Sequence, residues 1–361
     1  MIKYTLIAFL LISNTSFSQY VLQGKILEEK TKSPVRYASI SITNSTVGMA
    51  TDEQGNFQIK INPESQHEKL IISSLGFRNK FVSIDSLVQK GNSATVIYLK
   101  PFPIVLEDVI VKDSKISPAE LLKNAIAAIP KNYSQTPFNM EFYSKIEVKD
   151  SAKVHYTVET IVSTYRKGYV PGAANWSKII QKRESGSNPL PTYHMKGSTK
   201  DYFGYFPGFD ISLIDQLGSE GKYGKTENGY TVFNPKKSSK MKFAFGESSV
   251  FNGDTVIAVN YSDKKKYGGT IYIAVNTLAI VRHTLNFGNG YDIIYKKNAD
   301  GYYPYLIQSE YSRSQNLKIH NTVYLRDVNK KNVEIIEQNT GPKWPEDVPY
   351  NKIYWDANYP K

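Results

Sequence analysis

The 361-residue chain contains no cysteine. Its absence excludes disulfides, thiolate metal sites, a cysteine nucleophile and lipid attachment through an N-terminal cysteine. Past the first residues, no run reaches the ~18 apolar residues of a membrane-spanning helix, and mean hydropathy is −0.40. There are only five histidines, His67, His155, His194, His283 and His320. None has a second histidine or a carboxylate at zinc-peptidase spacing; His155 and Glu159 read as neighbours on one strand face. No G-x-S-x-G nucleophile elbow occurs. Gly224-Lys225-Thr226 ends like a phosphate loop, but Ser219 stands where the first glycine belongs and no strand or helix pattern flanks it. The expectation is a protein without catalytic residues, metal or cofactor.

What is present begins at the N-terminus. Lys3 supplies a positive start, residues 6–12 are apolar, and Ser16 and Ser18 place small residues at the −3 and −1 positions. This pattern predicts a cleaved signal peptide, residues 1–18, and an exported protein, periplasmic or associated with the outer membrane. Any membrane association is then peripheral or through a partner. Lys and Arg number 45 against 33 Asp and Glu, a net charge of +12. Most of the excess lies beyond residue 112 and reads as a solvated basic surface. Attraction to an anionic membrane or a polyanionic glycan is the alternative, and export argues against nucleic acid. The 27 Tyr and 16 Phe favour strands, where flat rings pack well on a pleated surface.

From Tyr20, short alternating runs are separated by turn residues. Residues 21–26, 38–43, 57–61, 69–74, 80–84 and 93–99 read as strands with no helix between them, the pattern of a β-sandwich. Asp52 is placed to accept from turn amides, and Gly55 to take the left-handed conformation that closes the turn. The ordered set Gly24, Pro34, Ala38, Thr51-Asp52, Gly55-Asn56-Phe57 and Ser74-Leu75-Gly76-Phe77 resembles the carboxypeptidase-regulatory-like domain. This family is common at the N-terminus of outer-membrane proteins of some gram-negative bacteria. The resemblance implies an immunoglobulin- or transthyretin-like sandwich over residues 19–103. It implies no peptidase activity, because the family is named for an accessory domain.

Residues 104–111 (IVLEDVIV) resemble the extended segment that joins this domain to the plug of TonB-dependent receptors; a plain linking strand is the other reading. Ser117, Pro118 and Glu120 mark a helix start. Leu122, Ala125, Ile126 and Ile129 then share one face, and Pro130 is expected to stop the helix. Residues 104–138 thus form a linking strand and an amphipathic helix that docks on the next domain. Residues 139–361 carry strand patterns with turn signals such as Asn252-Gly253-Asp254, predicting a Tyr-rich antiparallel β domain. Residues 267–287 resemble a hairpin of the half-barrel fold of periplasmic lipoprotein carriers, and a small membrane barrel is a further alternative. Charges within the strands, Lys145, Glu147, Glu159, Arg282 and Lys318, count against that barrel. Tyr202, Phe203, Tyr205, Phe206 and Phe209 interleave with glycine and proline; they read as a loop folded back to plug the end of the β core or, if exposed, as a contact surface for an envelope protein, glycan or lipid.

The fold class expected is therefore mainly β: sandwich, one linking helix, then a larger antiparallel domain, with a half-barrel as one form it can take. The function expected is that of an exported, envelope-associated, non-catalytic binding or scaffold protein. A carrier of a lipid or other amphiphile is the alternative; a hydrolase, by family name only, comes third.

Overall fold

The computed structural model describes residues 20–43, 48–52, 54–61, 63–74, 76–89, 95–102, 116–169, 175–187, 238–263, 268–285, 291–298, 301–312, 316–337 and 348–358. The signal peptide expected at 1–18, the 104–111 segment and the Gly-Lys-Thr stretch lie outside them. The chain is mainly β and divides into two compact units, Met1–Pro101 and Phe102–Lys361.

The first unit holds β1 (Tyr20–Glu28), β2 (Ser39–Ile42), β3 (Gly48–Ala50), β4 (Asn56–Ile61), β5 (Lys69–Ser73), β6 (Lys80–Ser83), α1 (Ile84–Val88) and β7 (Thr95–Leu99). One sheet has the order β4-β1-β7, with β1 antiparallel to β4 and parallel to β7; the other is antiparallel, β3-β2-β5-β6. Ile26, Ile40, Phe57, Ile59, Leu70 and Ile97 belong to one buried cluster drawn from both sheets. Strand periodicity explains this: alternate residues of each strand point into the sandwich.

The motif residues of this unit have structural work. Asp52 Oδ1 accepts from the amides of Gln54 at 2.9 Å and Asn56 at 2.7 Å. Gly55 has φ +76°, and a Cβ there would lie 2.5 Å from the Ile26 carbonyl oxygen. Buried Thr51 donates to the Val35 carbonyl at 2.7 Å and accepts from the Ala38 amide at 2.9 Å. The strand expected over 80–84 ends one residue early. Ser83 caps α1 by accepting from the Ser86 amide, and Ile84 and Leu87, three apart, turn into the core.

The second unit begins with α2 (Pro118–Ala127) and α3 (Ile129–Asn132). Ser117 Oγ accepts from the Glu120 amide at 3.2 Å, and Leu122 and Ala125 are buried. Pro130 opens α3 rather than ending α2. Having no N–H to give, it suits a first helical turn, and the break falls at Ala128. One linking helix is thus two.

Ten strands come next: β8 (Phe138–Lys149), β9 (Val154–Arg166), β10 (Asn175–Gly186), β11 (Lys242–Phe251), β12 (Asp254–Ser262), β13 (Gly268–Ala274), β14 (Ile280–Leu285), β15 (Tyr291–Asn298), β16 (Gly301–Ser312) and β17 (Lys318–Asn329). They form one antiparallel sheet in the order β10-β9-β8-β17-β16-β15-β14-β13-β12-β11. β10 and β11 are its two ends, so the described strands make an open sheet and not a closed barrel. Asn252 (φ 52°) and Gly253 (φ 88°) form the two-residue turn between β11 and β12. A C-terminal helix, α4 (Lys352–Asn358), completes the unit. No helix among the described residues is long and apolar enough to cross a membrane.

Candidate binding face

Register divides the ten-stranded sheet into two chemically distinct faces. Directly opposed residues share a face. One cross-strand row runs Lys182, Thr160, Ser144, Val323, Ile307, Ile293, His283, Ile271, Val259 and Phe245. From Thr160 to Val259, eight consecutive members are buried. The adjacent row, on the opposite face, runs Arg183, Glu159, Lys145, Thr322, Gln308, Asp292, Thr284, Thr270, Asn260 and Ala244. Nine of those ten side chains are hydrophilic, so from β17 to β12 the sheet sets a mainly apolar buried row against a polar one.

The charges of the polar face are paired. Arg183 makes a bidentate pair with Glu159, Nε to Oε2 at 2.5 Å and Nη2 to Oε1 at 2.6 Å. Tyr143 donates to the same carboxylate, and its ring stacks on Tyr324 at 6.1 Å. Arg282 grips Asp292 through Nε (2.8 Å) and Nη2 (2.5 Å), Lys145 pairs with Glu147, and Lys318 with Glu310. The five in-strand charges seen in the sequence thus all lie on one face. His155 and Glu159 do not act together: His155 Nε2 contacts Asp150 at 2.7 Å. That contact, with the Lys153 and Ala152 amides, holds the Asp150 carboxyl down at about 2.

Among the eight buried members of the first row, His283 is the one titratable group. Its Nε2 lies 2.7 Å from the hydroxyl of Tyr261, and the rings are 5.8 Å apart. Burial pushes the imidazole down to about 4 and the Tyr261 phenol up. The ring is then neutral at physiological pH, and its tautomer sets which of the two groups donates. Gly269, directly opposite Tyr261 on β13, makes this contact possible. A Cβ there would lie 2.7 Å from the Tyr261 hydroxyl and 1.9 Å from the Thr284 carbonyl oxygen. Elsewhere on the sheet Ser144 and Asn321 approach at 3.4 Å, and Thr160 Oγ1 is buried without a hydrogen-bond partner among the described residues.

Tyrosines bind the helices to this sheet. Tyr133, just after α3, donates to the Ile280 carbonyl at 2.6 Å and packs against Tyr169, Tyr295 and Tyr302 with centroids 5.3 to 5.9 Å away. Phe138 stacks on Tyr169 and meets Tyr303 edge-on. Asn132 Nδ2 donates to the Thr277 carbonyl at 2.9 Å. Part of the tyrosine excess is thus structural: Tyr133 and Tyr261 fill space with their rings while their hydroxyls satisfy a carbonyl and a polar side chain. Nine strand spacings make the sheet about 43 Å wide, whereas the ten residues of α2 span only about 15 Å. α2 touches β11 and α3 touches β16.

The aromatic segment with Tyr202, Phe203, Tyr205, Phe206 and Phe209 lies outside the described residues. Sequence reading missed the His283–Tyr261 pair and the Arg183–Glu159–Tyr143 network. Among the described residues, no three His, Asp or Glu side chains converge as metal ligands.

The first unit is a two-sheet regulatory-type sandwich closed by the Thr51–Gly55 turn. Residues 22–111 match the family model of the CarboxypepD_reg-like domain, so the chain carries such a domain at its N-terminus. Solved structures with some likeness include a putative outer membrane lipoprotein-sorting protein domain from Vibrio parahaemolyticus (9% identity, covering 61% of this chain and 94% of that one, TM-score 0.29). Others are a LolA superfamily protein from Nitrosomonas europaea (8%, 61% and 96%, TM-score 0.26) and MucB (9%, 61% of each, TM-score 0.20). No curated protein matches the chain by sequence.

Proposed function

We propose that this is an exported, envelope-associated binding protein without catalytic activity, its sandwich a mount and its ten-stranded unit the receptor. The carrying observation is the two-faced sheet, with an unbroken buried row from Thr160 to Val259. The strong ion pairs inside the unit, Arg183–Glu159 and Arg282–Asp292, are committed to each other. His283 is held neutral by burial. These groups support packing rather than proton transfer.

The width of the apolar face favours a more specific reading, a carrier of a lipid or other amphiphile. A face about 43 Å wide outruns its two short helices, and apolar surface of that extent takes up an acyl chain when its cover lifts. Titrating the mature protein with a fluorescent fatty-acyl probe tests this. Saturable binding, weakened at least tenfold by Ile271→Arg in the centre of the row, is the expected result. Binding that is absent, or unchanged by that variant, contradicts the carrier reading. Cleavage of a peptide library by the purified protein would overturn the non-catalytic one.

A further inference from the structure

The C-terminal segment 348–358 rounds the edge of the sheet at β10. Val348 packs into the buried cluster of Ile146, Val148, Val162, Ile179 and Ile319, on the apolar face. Tyr350 then forms a parallel bridge with Lys182 at the edge. Beyond it, Trp355 is wholly buried, its Nε1 donating to the Lys182 carbonyl at 2.7 Å. The Arg183 guanidinium lies 4.7 Å from the centroid of the same indole, on the polar face. Tyr354 accepts from Arg326 Nη1 at 3.0 Å. One short segment thus grips both faces and the backbone of the end strand.

The grip is local. α4 has seven residues, too few for a helix to hold its shape alone. Among the described residues a single bridge joins the segment to the strand ladder. Three of the seven large apolar side chains exposed among the described residues lie on the segment or on β10: Ile180, Tyr350 and Ile353, the last 83% exposed. Tyr350 and Ile353 of the segment are thus exposed between the Val348 and Trp355 seats. Sub-global opening is expected first in a short element at a sheet edge that leaves apolar side chains in solvent. An edge strand of twelve residues left uncovered is a template for strand addition.

We propose that β10 is a peptide-receiving edge and residues 348–358 its resident, exchangeable occupant, so that the same segment from a second copy of this chain can take the seat. The occupant's chemistry is fixed by the residues already seated: valine in the apolar pocket, an extended backbone at Lys182, and tryptophan over Arg183. Exchange of an identical element between copies creates no new contacts and so costs little.

The test uses the full mature chain carrying Trp355→Ala and a labelled synthetic peptide of residues 346–361. The variant should bind the peptide saturably and at least tenfold tighter than the wild type, whose own segment competes. A peptide with alanine in place of the tryptophan should not bind. Failure of the natively folded variant to bind, or equal binding by the wild type, overturns the proposal. If the variant does not fold, amide hydrogen exchange of the wild type decides. Residues 348–358 and β10 should exchange as one unit ahead of β8 and β9, and a β10 that stays protected while the segment exchanges contradicts exchangeability.

Discussion

At the scale of single residues, the buried His283 makes a sharp prediction about acid. Its value near 4 in the folded chain lies below the ordinary 6.5. Between those values the unfolded chain binds a proton that the folded chain does not. Stability should therefore be complete above about pH 6.5 and fall as pH drops toward 4, by up to about 3 kcal/mol. Urea unfolding of wild type and His283→Gln from pH 7 to 4.5 checks this: the variant should lose distinctly less stability on acidification. Parallel pH profiles would mean that the ring is not held neutral. This pair was not legible in the sequence, because His283 and Tyr261 are 22 residues apart and meet only through the register of β12, β13 and β14. The Asp52–Gly55 turn was legible, because a short carboxylate and a glycine three residues on satisfy the amides locally.

At the scale of elements, the close approach of β13 to its neighbours is set by Gly269. Gly269→Ala should displace the Tyr261 ring or spread the strands, costing more than about 2 kcal/mol, read as a lower denaturation midpoint and loss of the Tyr261–His283 coupling. An alanine variant as stable as wild type would mean that the strands are not so tightly apposed. Period-two alternation made β1, β4 and β8 readable, since each has one buried face, whereas β12 buries four residues in succession, Val256 to Val259. In β10 a bulge between Ile179 and Gln181 interrupts the alternation, and that bulge is a matter of pairing with β9 that the strand's own residues do not show. The reading of Pro130 as a stop saw the end of α2 but not the new turn that proline can begin.

At the scale of the whole molecule, the chain places a small regulatory-type sandwich before a much larger sheet unit. Composition and turn signals made the β-rich class and the antiparallel arrangement legible. The two-faced sheet was not legible, because facing depends on nine registers acting together, while any one strand shows only a local alternation. If the ten-stranded unit receives an amphiphile on its apolar face, the ligand should travel with the protein. Native mass spectrometry of the mature protein, extracted gently from the envelope of the producing cell, reads this directly. The expected result is a folded protein carrying a bound lipid or other acyl compound that organic extraction removes. A protein that emerges ligand-free, and takes up no acyl compound when mixed with total envelope lipid, would contradict it.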